Sequence, residues 1–92
     1  MSPIRHMDTD ACYSVNNQII STKDAINDSV TQIYSQVDGM VGSAWIAPGA
    51  DQFKSDIEQW RSQLQQALEQ LQTLSDRFKT EIEHWIDEGQ SY

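Results

Sequence analysis

"VGSAWIAPGADQF", residues 41–53, decides the reading of this chain. Its flanks are rich in Gln, Asp and Glu and carry helical spacing, whereas this stretch places Trp45, Pro48 and Gly49 in close succession before Phe53. Pro and Gly together punctuate regular structure. One break near the middle of 92 residues divides the chain into two long halves.

Before the break, Ile19, Ile26, Val30, Ile33, Val37 and Met40 recur at spacings of seven, three and four. That is a heptad seam: Ile19, Ile26, Ile33 and Met40 form one row, Val30 and Val37 the other. Cys12 extends the first row backwards, while Asn16 and Lys23 fall on the second and weaken it. Val, Ile, Ser, Thr and Asn are modest helix formers, so packing must hold this helix. Thr9, between Asp8 and Asp10, marks its N-cap region.

After the break, Phe53, Ile57, Trp60, Leu64, Ala67, Leu71, Leu74 and Phe78 alternate spacings of four and three, and Trp85 follows seven later. Leu68 and Ile82 add a neighbouring stripe. Pro48 suits a first helical turn, where its missing N–H is harmless, and Asp51 lies near the positive end of the helix dipole. Gly89 ends the pattern.

These spacings predict an all-α fold: an antiparallel helix-turn-helix hairpin, with helices over about 9–43 and 49–88. Residues 7–92 form its one domain, and 1–6 read as a disordered tail or a remnant of recombinant expression. Two helices cannot enclose a core, so a second stripe stays open on each. Covering a large apolar side chain is worth roughly 1.5–3 kcal/mol. Pairing two hairpins over Leu68, Ile82, Tyr34 and their neighbours yields a four-helix bundle.

Fourteen acidic against six basic side chains leave a formal net charge of −8. That disfavours nucleic acid and anionic membranes, both of which attract Lys and Arg. No apolar run reaches the roughly 18 residues of a membrane span, and no apolar leader core stands near the N-terminus. Cys12 is the lone cysteine, so no internal disulfide forms. No nucleophile, base and acid are grouped and no glycine-rich phosphate loop occurs, which points away from an enzyme. Glu81 and His84 give one Glu-x-x-His, whereas two-metal bundles use two plus further carboxylates; neither metal nor cofactor is expected.

Trp45 to Phe53 reads W-I-A-P-G-A-D-Q-F. It resembles the W-x-G-x-A-A-x-x-F turn of the WXG family, the ESAT-like or Esx proteins of type VII secretion. The Trp-to-Phe interval matches, Ala50 matches the second Ala, and Trp60 stands seven after the Phe, as is common there. The resemblance covers Met7 to Glu88. It departs at Ala47, where the family has Gly; Gly49 lies two positions on, so Pro48–Gly49 is expected to reverse the chain. It departs again at the C-terminus, where no Tyr-x-x-x-Asp/Glu export signal occurs. His84-x-x-x-Glu88 is similar to a His-x-x-x-Asp/Glu variant of that signal.

The resemblance implies a small substrate or adaptor of a type VII-like (ESX) system that acts by protein–protein recognition. It implies a homodimer, or a heterodimer with a sister WXG-like chain, exported after folding in the cytoplasm and without a cleaved signal peptide. Its other partners would be the secretion machinery and a larger co-secreted effector, with no nucleic acid and no membrane insertion. The alternative is a cytoplasmic structural or regulatory coiled-coil hairpin that is never exported. The site residues expected are the turn (Trp45, Ala47, Gly49, Phe53), the export pair (His84, Glu88) and the seam. That seam comprises Ile26, Val30, Ile33, Val37, Met40, Ile57, Trp60, Leu64, Leu71, Leu74, Phe78 and Trp85. Its shortage of charge favours a homodimer, with Lys23 able to discriminate between partners.

Overall fold

Asp8 opens the first helix: its carboxylate accepts the Ala11 backbone N–H at 3.0 Å, satisfying one of the donors that a helix start leaves unpaired. The expected cap region is right, but the cap is Asp8, and Thr9 is the first helical residue and buried. The computed structural model describes residues 5–89. Among these, α1 spans Thr9–Met40 and α2 spans Pro48–Asp87. The tail expected over 1–6 lies for residues 1–4 outside the described residues.

The two helices run antiparallel, as expected, in a rod 67 × 21 × 20 Å. Pro48 sits in the first turn of α2, and Ala47, with no capping side chain, precedes it. α1 stops three residues short of the expected end. Val41 leaves the helical region, and Gly42 takes φ +90°, a conformation that costs little only for glycine.

Only one stripe of each helix can face the other. On α1 it is Thr9, Asn16, Val30 and Val37, all buried, with Lys23 half-buried on the same row. On α2 it is two adjacent rows. Ala50, Ser75 and Ile82 are buried, and Ile57, Leu64, Leu68, Leu71, Phe78 and Trp85 are half-buried.

This revises which stripe is open. Ile82 and Leu68 were expected to await a second hairpin. Ile82 is instead 0% exposed inside this one, and Leu68 is half-buried. The open rows are those of Ile26 and Ile33 on α1 and of Phe53, Trp60 and Leu74 on α2.

Two contacts set the register. Deep in the hairpin, the Ser75 hydroxyl donates to the Asn16 side-chain oxygen at 2.7 Å. Near the bend, the Lys54 ammonium meets Asp38 at 2.7 Å. Polar contacts of this kind between the helices hold two otherwise slippery apolar stripes against sliding.

Candidate interaction surfaces

The bend is built by backbone hydrogen bonds. The Trp45 N–H donates to the Met40 carbonyl at 3.2 Å and the Gly42 N–H to the Trp45 carbonyl at 3.0 Å. Ser43 donates its hydroxyl to the Gly39 carbonyl at 2.7 Å, satisfying an end-of-helix acceptor. The reversal is therefore made over residues 41–47, around Gly42. The expectation that Pro48–Gly49 turns the chain is overturned, because both belong to the first turn of α2. A glycine just past the last apolar residue of a helix is a known stop signal, and Gly42 follows Val41 in that manner.

Trp45 lies against the start of α2. Its ring centroid is 5.8 Å from that of Phe53 at an interplanar angle of 46°, a tilted aromatic pair. A Cβ built on Gly49 would stand 3.7 Å from Trp45 Cζ2, so the indole also lies over the first turn of α2. The same ring lines an open hollow of about 490 Å³ with Gly42, Ile46, Ala47, Pro48 and Asp51. Trp45 thus braces the bend with one part of its surface and offers another to solvent. Ile46, at the tip, is 78% exposed. Ala47 has φ −169° and ψ 160°, extended backbone that any residue adopts, so an alanine stands here without strain.

The hairpin has two unlike sides. On one, the α1 row of Cys12, Ile19, Ile26, Ile33 and Met40 runs beside the α2 row of Phe53, Trp60, Ala67, Leu74 and Glu81 in the opposite direction. Together the two rows form an apolar ladder that turns polar at the free end. Trp60 is 42% and Leu74 58% exposed. A groove of about 500 Å³ runs along it between Ile26 and Trp60, floored by Val30 and Leu64 and edged by Ser21, Ala25 and Ser29.

The other side is a polar clasp. The Tyr34 hydroxyl donates to Glu58 Oε1 at 3.0 Å, and the Arg61 guanidinium lies 4.5 Å from the Tyr34 ring centroid. The hydrogen bond to Glu58 raises the Tyr34 phenol above its ordinary value, and the hydrogen bond to Asp38 raises the Lys54 ammonium. None of these cross-helix contacts was read from the sequence. The signal was present, since Tyr34, Asp38, Lys54, Glu58 and Arg61 flank the seam at spacings of three and four.

His84 and Glu88 are both exposed, and Glu88 caps α2 by donating its backbone N–H to the His84 carbonyl at 2.9 Å. The pair lies at the free end, far from Trp45 within one hairpin. Trp85, next to it, keeps its indole N–H buried with no acceptor. Among the described residues, no helix is long and apolar enough to cross a membrane, and no cluster of His, Cys, Asp and Glu is arranged to hold a metal ion.

Residues 6–83 of the sequence, which build both helices and the tryptophan bend, match the family model WXG100, "Proteins of 100 residues with WXG". That match covers most of the chain. The chain is a member of the WXG100 family. No curated protein and no solved structure matches it. WXG100 proteins are small, non-enzymatic helical proteins of type VII secretion systems, typically dimeric and secreted. The match contains the bend, Phe53, Trp60 and Leu74 but ends before His84 and Glu88.

Proposed function

We propose that this WXG100 protein is a substrate or adaptor of a type VII secretion system that works as a pair of hairpins and acts by recognition alone. The observation that carries this reading is the apolar ladder. Ile26, Ile33, Phe53, Trp60 and Leu74 all stand exposed along one side of the rod, and large apolar side chains gathered at a surface in this way mark an interaction site. Pairing two ladders closes a four-helix bundle and leaves each polar clasp facing water.

Pairing with bends at opposite ends brings Trp45 of one hairpin towards His84 and Glu88 of the other. The two half-signals, separated by the length of the rod in one chain, then form one composite end for the export machinery or a larger co-secreted effector. A Trp with an open flank is a suitable anchor for such docking. The protein leaves the cell folded and retains its N-terminus.

The test is export from a host with an active type VII system and from the same host lacking its membrane ATPase. The protein is expected in the culture supernatant of the first alone. Trp45→Ala and the double change His84→Ala with Glu88→Ala should each retain it in cells while leaving its helical circular dichroism unchanged. Retention of the natural chain in the competent host would support an unexported coiled-coil subunit instead.

A further inference from the structure

We infer that residues 9–23 of α1 are a detachable cover, and that lifting it opens the strip of Leu71, Phe78, Ile82 and Trp85 on α2 to an amphipathic helix with a basic outer face. This strip faces the interior of one hairpin and not the ladder, so the inference stands apart from the pairing of hairpins.

The two faces of this half do not match. The strip on α2 is aliphatic and aromatic, interrupted by Ser75. Against it α1 turns Thr9, Asn16 and Lys23, and its inward row becomes apolar only at Val30 and Val37. Polar groups laid against large apolar ones gain little from leaving water. Ser75 satisfies Asn16, but the Trp85 indole N–H lies buried with no acceptor, and opening returns it to water. Residues 9–23 are also rich in Ser, Thr, Asn, Val and Ile, which hold a helix poorly once its packing is lost.

The bend half is fastened and the free half is not. Tyr34 to Glu58, Asp38 to Lys54 and Arg61 over the Tyr34 ring all tie the helices near the bend, and the short bend keeps those segments together. Among the described residues, the ammonium of Lys23 pairs at 3.1 Å with Asp24 of its own helix, so no ion pair fastens residues 9–23 to α2. The ladder itself turns polar over this stretch, ending at Cys12 and Glu81, so a paired hairpin would grip the cover weakly.

Charge names the occupant. From Leu68 to Glu88, α2 carries Glu69, Asp76, Glu81, Glu83, Asp87 and Glu88 against Arg77 and Lys79. The present cover brings Asp8, Asp10 and Asp24 to this acidic segment and one lysine already paired. A helix with leucines on its inward row and lysines beside it complements the strip in both respects.

The experiment uses the full chain. Amides of residues 13–23 should exchange with deuterium about tenfold faster, or more, than those of residues 30–40. The docking probe is a synthetic peptide of residues 8–28 carrying Thr9→Leu, Asn16→Leu, Lys23→Leu, Asp10→Lys and Asp24→Lys, with binding read by anisotropy. It should bind the natural chain, and the same peptide retaining Asp10 and Asp24 should bind about tenfold more weakly. In a Cys12→Ser background, Asn16→Cys with Ser75→Cys staples the cover on oxidation; peptide binding should vanish and return on reduction, with helical circular dichroism unchanged. Asn16→Leu and Lys23→Leu with Ser75→Ala closes the cover without a staple, and should slow exchange over 13–23 and weaken the peptide. Self-association by sedimentation should be the same for the stapled and reduced forms, so failure here leaves the paired-hairpin reading standing. Uniform exchange along α1 overturns the cover, and binding that survives the staple overturns the strip. A peptide that never binds the natural chain overturns the docking, and equal binding of the two peptides overturns the basic partner.

Discussion

Ser75 and Asn16, 59 residues apart in sequence, share a 2.7 Å hydrogen bond inside the hairpin, the one buried bond between side chains among the described residues. Ser75 is 2% exposed, so the bond forms away from water. Removing one member leaves the other buried and unpaired, which costs about 1–3 kcal/mol, whereas replacing both by apolar groups is nearly neutral. Ser75→Ala should therefore lower stability by about that amount. Asn16→Leu combined with Ser75→Ala should return to within about 1 kcal/mol of the natural chain. Urea unfolding at one fixed protein concentration reads the difference, since association adds to apparent stability. Equal losses for the single and the double changes would show that the pair is not the unit.

Ile82 and Ile46 make opposite use of one side chain. Ile82 is sealed between the helices and Ile46 stands 78% exposed at the tip. Ile82→Ala should cost about 2–5 kcal/mol, through lost burial and the cavity left behind. Ile46→Ala should stay within about 0.5 kcal/mol, as surface changes do. Thermal unfolding of the two variants side by side distinguishes them, and comparable losses would contradict the assignment of Ile82 to the hairpin interior.

The two seams were legible in sequence because heptad spacing survives any amount of polar decoration between its members. Their assignment to inside or outside was not. Each helix of this hairpin carries one apolar stripe facing inward and another facing outward, and spacing reports their sum. Asn16 and Lys23 looked like flaws in a row. That row faces inward, because Ser75 satisfies Asn16 and because Lys23 can lay its stem along the seam. Ile26 and Ile33, the more apolar row, are the exposed ones. The bend was located correctly by Trp45 and Pro48, yet its turning residue was missed. Pro48–Gly49 is the louder signal, but proline at a helix start is as much at home as in a turn.

Gly42 and Gly49 separate the turning residue from its loud neighbour. Gly42 holds φ +90°, where an added Cβ is strained whatever space surrounds it. Gly49 lies in the first turn of α2, where a Cβ would meet only Trp45 Cζ2 in ordinary contact at 3.7 Å. Gly42→Ala should destabilise by about 1 kcal/mol or more. Gly49→Ala should be neutral or stabilise by up to about 1 kcal/mol, since alanine favours helix. Chemical denaturation of both variants decides it; a harmless Gly42→Ala with a damaging Gly49→Ala would move the reversal back to residues 48–49.

Tyr34 gives the clasp a pH signature. Its phenol is raised first by the hydrogen bond to Glu58, then by desolvation and by the Glu58 charge, and Lys54 is raised by its hydrogen bond to Asp38. In both cases the folded chain keeps a proton that the unfolded chain releases. The unfolded state therefore binds fewer protons in this range, and stability falls as pH rises. The contribution is complete below the ordinary values of about 10 for the phenol and about 10.4 for the ammonium, and it is lost as pH climbs through the raised folded ones. The phenolate absorbance of the natural chain minus that of Tyr34→Phe should show a midpoint above the ordinary phenol value. Glu58→Gln should bring that midpoint down, because it removes the carboxylate that holds the proton in place. A midpoint at or below the ordinary value in the natural chain, or one that does not move in Glu58→Gln, would mean that the 3.0 Å bond between Tyr34 and Glu58 is not maintained in solution.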